Sequence, residues 1–329
     1  MTPIVIPPIG VIYDSDMTDV DDALALALLY GLDGKRESRV VSLSISRPSL
    51  KAAAFCDAVA RFYAGAAVQF MRMLPVGMET KGATPALEQK LEPMLDQPLA
   101  KPVHKHEVQE MRDTADPAAL IRNALTANHD NNCLVVLSGP ATNLLSALAL
   151  PAVKDFVTAK VRQLSIAPDA SDIEGTNKLL ASWPSAVVVV SPEAGDEILY
   201  PATSIETGFG WTPAHPVVDA YKGFKPMPYD APTGALAAVM QAVRPKENYF
   251  KLSEPGTITL LAGGKIKLTP SADGRHRQLS VDPAQKERLI AAYTEIVSAK
   301  PVPRMPRFRP MPQEKKPDAA KPVETKPPA

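Results

Sequence analysis

The chain has 329 residues, 45% of them hydrophobic, which is enough for one large domain with a sizeable core. Lysine plus arginine equals aspartate plus glutamate at 36 each, so no global field steers the protein toward nucleic acid or an acidic membrane. Two cysteines, Cys56 and Cys133, sit in apolar segments and read as reduced, buried thiols, which excludes a disulfide framework.

The N-terminus, "MTPIVIPPIG", is short, broken by proline and without a basic stretch, so it does not read as a signal peptide. No apolar run reaches the roughly 18 residues of a membrane span. The expected location is cytoplasmic. The pattern then alternates strand and helix. "GVIYD" is strand-like, and "DDALALALLYGL" is helical, with Gly31 and Gly34 as stop signals. A strand over 39–46 precedes a helix over 50–65. A helix over 118–130 precedes a buried strand over 133–139 and a helix over 141–150. Strands over 162–167 and 186–190 follow. Continuous apolar strands between helices predict an α/β fold, a mostly parallel open sheet with helices on both faces. Segments 256–270 and 274–282 read as antiparallel strands near an edge, a small β appendage. Pro283 is well placed to open a closing helix to residue 300. Residues 1–300 thus form one domain. Residues 301–329 alternate proline with basic and small residues and are expected to be an extended, disordered tail.

The concentrated chemistry is "DSDMTDVDD", five carboxylates within nine residues: Asp14, Asp16, Asp19, Asp21 and Asp22. Thr18 or Asp19 can cap the following helix, and Asp21 and Asp22 suit its positive end. Asp14 and Asp16 end a strand and gain nothing from that helix. Carboxylates crowded together need protonation or a cation. An all-oxygen set favours a hard cation, calcium or magnesium. An EF-hand is excluded, because its sixth position falls on Asp19 and its twelfth on Ala25. A carboxylate beside a hydrated cation can take a proton from that water. The residues alone therefore point to a metal-assisted hydrolase or a phosphoryl-transfer site.

"DSDMTDVDDALAL" resembles the D-x-D-x-x-x-D-D signature of the inosine/uridine-preferring nucleoside hydrolases, in a longer form with one residue missing. "VVLSGPATNLLSAL" is similar to the family's strand followed by G-P-x-T-N. Weaker matches extend the resemblance over residues 10 to 300. It implies a calcium-dependent hydrolase of the N-glycosidic bond of ribonucleosides. Asp16 would hold the metal and act as general base. Asp22 would be a bidentate ligand, the Ser138 carbonyl a third, and Asp21 would bind a ribose hydroxyl. Asp14 would support them from behind. The partner implied is a small nucleoside or related ribosyl compound, with no nucleic acid; assembly into a homo-oligomer is left open.

The resemblance breaks at distant positions. In "GALAAVMQAVRP" the family's late metal aspartate falls on Ala235. Asp230 lies five residues earlier and can substitute only if the loop before that helix is rearranged. The ribose-binding segment is replaced by "APDASDIEG", with Glu174 and Asn177 out of frame. Arg47, Pro48 and Ser49 stand where the family has an asparagine. Fewer charged ligands weaken calcium binding, and lost ribose contacts remove positioning. The expected protein is a divergent member with activity reduced, altered or lost. Two other readings stay open. One is a non-catalytic protein that binds a ligand or partner. The other is a haloacid-dehalogenase-like phosphatase with Asp14 as nucleophile and Asp16 as acid/base.

Overall fold

The structure, a computed structural model, describes residues 7–69, 73–81, 88–101 and 104–302. The expected proline-rich tail lies outside them from residue 303 onward. The elements run β1 (Ile9–Ser15), α1 (Val20–Gly34), β2 (Ser38–Ile45), α2 (Leu50–Ala64), β3 (Val76–Met78), α3 (Glu88–Leu99), α4 (Pro117–Ala127), β4 (Cys133–Ser138), α5 (Thr142–Leu148), α6 (Val153–Lys160) and β5 (Val161–Ile166). They continue with α7 (Ile173–Ser182), β6 (Val187–Val190), α8 (Pro192–Glu197), α9 (Ala202–Thr207), α10 (Pro216–Phe224), α11 (Gly234–Val243), β7 (Phe250–Leu252), β8 (Gly256–Leu260), β9 (Ile266–Pro270), β10 (His276–Val281) and α12 (Lys286–Val297).

One ten-stranded sheet has the order β3-β2-β1-β4-β5-β6-β10-β8-β9, with β7 on β10. The first six strands pair in parallel. Side chains on β1 alternate between two cores: Val11 and Tyr13 on one face, Ile12 on the other. Leu134 and Val136 of β4 join the first core, while Val135 and Leu137 join the second. This is the sheet covered on both faces that continuous apolar strands predict.

The antiparallel region is joined more closely to the main sheet than an appendage. β10 pairs in parallel with β6, from His276 opposite Val187 to Leu279 opposite Val190. Only its pairings with β7 and β8 are antiparallel. β6 is four valines buried on both faces, and β10 supplies the strand that this edge needs. His276 is buried, and its Nδ1 accepts from the Ile258 amide at 3.0 Å. His104 is also buried, with Nε2 2.7 Å from an Asp219 oxygen.

Beyond its acidic first turn, helix α1 is apolar on every side from Ala23 to Leu29. Ala23 through Leu29 are fully buried, between β2, α2, α10, α11 and α12. At Gly31 the backbone of α12 approaches so closely that a Cβ would lie 2.2 Å from the Ile296 carbonyl oxygen. Gly→Ala in an exposed helix normally stabilises by about 1 kcal/mol. Here Gly31→Ala is expected to destabilise by about 2 kcal/mol, because backbone must move. A urea titration checks this, and an unchanged or higher midpoint would refute it.

Candidate functional site

The strand order reverses direction between β1 and β4, and crevices in open α/β sheets form at that point, outside the carboxyl ends. The acidic turn follows β1 there, and Ser138 and Gly139 follow the same edge on β4. Gly139 is required by close approach: a Cβ would lie 2.7 Å from both the Asp16 amide nitrogen and Ser46 Oγ. The resulting pocket has a volume of about 360 Å³. Its wall includes Asp16, Asp19, Asp21, Asp22, Asp169 and Asp196. No lysine or arginine among the described residues lines it.

Each of the five carboxylates has its own internal partner. Asp14 is fully buried, accepting from Ser44 Oγ at 2.9 Å and Asn143 Nδ2 at 3.3 Å. Burial raises its pKa to about 7 despite those bonds. Asp19 caps α1 and forms a reciprocal capping box with Asp22. Asp22 is buried, and burial followed by the charges of Asp21 and Asp16 holds its pKa well above the usual carboxylate range. Tyr13 Oη, packed behind it, lies 2.9 Å from Ser138 Oγ. Asp21 reaches across to the other half of the chain. Its Oδ2 accepts from the Ala235 amide at 2.9 Å, at the start of α11, where the positive end of that helix favours negative charge. Burial, then the charge of Asp19, still raises the Asp21 pKa to about 7.

Asp16 is held by a cation from the chain itself. Arg47 Nε donates to Asp16 Oδ2 at 2.7 Å, while the Thr18 amide and Oγ1 donate to Oδ1 at 3.2 and 2.8 Å. The Asp16 side chain is 4% exposed and Arg47 17%. Arg47 Nη2 donates to Asp169 Oδ2 at 2.7 Å and to Ser171 Oγ at 2.9 Å. Burial works against the charge on Arg47, but the hydrogen bond and charge of Asp16, backed by Asp169, raise its pKa. Burial also pushes the Asp16 pKa up, and Arg47 opposes that shift.

Of the expected site residues, Asp16, Asp21, Asp22 and Ser138 line one pocket. Asp14 lies sealed behind them, without access to it, so the phosphatase reading loses its nucleophile. The Ser138 carbonyl accepts from the Asp16 amide at 3.3 Å. Asp230 does not join the pocket wall; its Oδ1 accepts from the Ala202 amide at 2.8 Å and so caps α9. Asn177 bonds both the amide and the carbonyl of Leu260 in β8, and Glu174 is exposed, paired with Lys178. Asp172 caps α7. Among the described residues, no three Asp, Glu, His or Cys side chains are grouped to hold a metal ion. As arranged, these donors do not form a calcium cage. Asp169 and the pairing of Arg47 were not found from sequence. The available signal was that both follow strands at the carboxyl edge.

No protein-family model and no curated protein matches the chain by sequence. Solved structures do match by fold. The inosine-uridine preferring nucleoside hydrolase from Bacillus anthracis superposes with a TM-score of 0.62 at 14% identity, over 88% of this chain and 99% of that one. The purine-preferring ribonucleoside hydrolase from Gardnerella vaginalis gives 0.63 at 15% identity, over 88% and 98%. The type III effector protein XopQ, solved with adenosine diphosphate ribose, gives 0.61 at 12% identity, over 89% and 95%. The chain has the nucleoside hydrolase fold.

Proposed function

We propose, from this fold, that the protein is a divergent nucleoside hydrolase-like protein. Its acidic cleft binds a small N-ribosyl compound, with glycosidic hydrolysis reduced or lost. The observation that carries the reading is the placement of the carboxylates on the wall of one pocket. Asp21 and Asp22 line the cleft with raised pKa values, and a protonated carboxyl both donates to and accepts from a hydroxyl. Such a lining suits a ribose diol. The wall carries six aspartates and, among the described residues, no lysine or arginine that could anchor a phosphate, so a neutral nucleoside is favoured over a nucleotide. The fold relatives named for inosine, uridine and purine nucleosides support that choice of ligand.

Loss of turnover follows from Asp16. A carboxylate already accepting from Arg47 and Thr18 is a poor general base, because those bonds stabilise its charged form. Ala235 also leaves the developing positive charge on the sugar without a late carboxylate. Calorimetric titration with inosine, uridine and adenosine checks the binding, and chromatography checks release of the free base. The expected result is nucleoside binding, weakened about tenfold by Asp21→Ala, with no base released. Silence toward every nucleoside at millimolar concentration, or base release at rates of about 1–10³ s⁻¹ that are usual for enzymes, would sink the reading.

A further inference from the structure

Arg47 follows β2 and Asp169 follows β5, and those strands are separated in the sheet by β1 and β4. At about 4.8 Å per strand spacing, the arginine bridges loops rooted roughly 14 Å apart. It passes over the carboxyl ends of β1 and β4, where the acidic turn crowds its charge. Its far anchor is braced: Asp169 Oδ1 accepts from the Ser171 amide at 2.7 Å and Oδ2 from Ser171 Oγ at 2.8 Å. A guanidinium held between two carboxylates supplies permanent positive charge in a fixed plane.

Most of the oxygens that a divalent ion would use here are already engaged, Asp22 least, its Oδ2 accepting from the Asp19 amide at 3.4 Å. Asp16 Oδ2 faces Arg47, and Asp16 Oδ1 faces Thr18. Asp21 Oδ2 faces the Ala235 amide, and the Ser138 carbonyl faces the Asp16 amide. We infer that Arg47, which pairs with the wall residues Asp16 and Asp169 without itself lining the pocket, is the resident cation of this acidic cluster, in place of a divalent metal, and that the protein does not take calcium. The inference rests on side-chain geometry and stands apart from the nucleoside reading.

The test is calcium alone, on the full chain after dialysis against chelator. Thermal melting and calorimetry are compared for wild type, Arg47→Lys, and the double variant Arg47→Asn with Ala235→Asp. Wild type and Arg47→Lys are expected to melt alike with and without calcium. The double variant frees Asp16 and adds a carboxylate at the start of α11. It is expected to bind calcium at least about tenfold more tightly than wild type, since affinity follows ligand charge, and to melt higher when calcium is present. Wild-type binding tighter than about 1 mM, the strength of weak natural calcium modules, overturns the inference. So does a folded double variant that responds no more than wild type. If the double variant fails to fold by circular dichroism, Arg47→Gln replaces it: a larger calcium response than wild type supports the inference and an equal one overturns it. Nucleoside titrations on the same chelated samples keep the two readings distinguishable.

Discussion

Arg47→Ala is expected to lower stability by about 3 kcal/mol at pH 8, the scale of breaking a buried ion pair by removing one partner. The loss should shrink toward pH 5. The variant leaves Asp16, almost wholly out of water, as a carboxylate with no counter-charge. At low pH that group takes a proton and the cost largely disappears. At high pH it cannot. Denaturant titrations at the two pH values measure the difference. Adding Asp16→Asn to Arg47→Ala should recover most of the loss at pH 8, since neither charge then remains buried alone. Equal midpoints for wild type and Arg47→Ala at pH 8 would show that the pair contributes nothing.

The intact protein is expected to lose stability as pH rises from about 5 to 8.5, against the usual direction for carboxylates. Asp14 and Asp21 each move from an ordinary value of 3.8 to about 7 in the folded state, and Asp22 is also held well above its ordinary value. The folded chain therefore holds protons that the unfolded chain has released. Stability from these groups is complete below the unfolded value and is lost as pH climbs through the folded one. A fall of roughly 5 °C or more in melting temperature is expected, given about 2–4 °C per kcal/mol for a domain of this order of size. Asp14→Asn should flatten the slope, because an amide imitates the protonated acid without titrating. A melting temperature that rises from pH 5.5 to 8.5 would contradict the assignment.

Much of the fold was legible because its periodicities are strong. The apolar strands at 133–138 and 187–190, and the apolar run 23–32 of α1, have few competing readings. β3 was not found, being three residues long and paired only at the edge. The parallel pairing of β10 was hidden because direction is set by the route of the chain over α11, not by any residue in β10. Within the site, Asp16, Asp21, Asp22 and Ser138 were found because they are close in sequence or carry motifs. The partners of those residues were not. Asp169 and Ala235 reach the same pocket from later parts of the chain, Arg47 pairs with its wall without lining it, and only the sheet order brings them together. Asp230, which could substitute for the missing aspartate only with a rearranged loop, is engaged at the start of α9.

The placement of β10 also bears on how the protein is made. β6 leaves the ribosome with a four-valine edge whose partner strand begins roughly 85 residues later, on the order of 10 s at usual synthesis rates. During that interval the edge is a template for pairing with other chains. Heterologous expression should therefore yield more soluble protein at lower temperature or with a co-expressed holdase, and a chain truncated before His276 should go largely to the insoluble fraction.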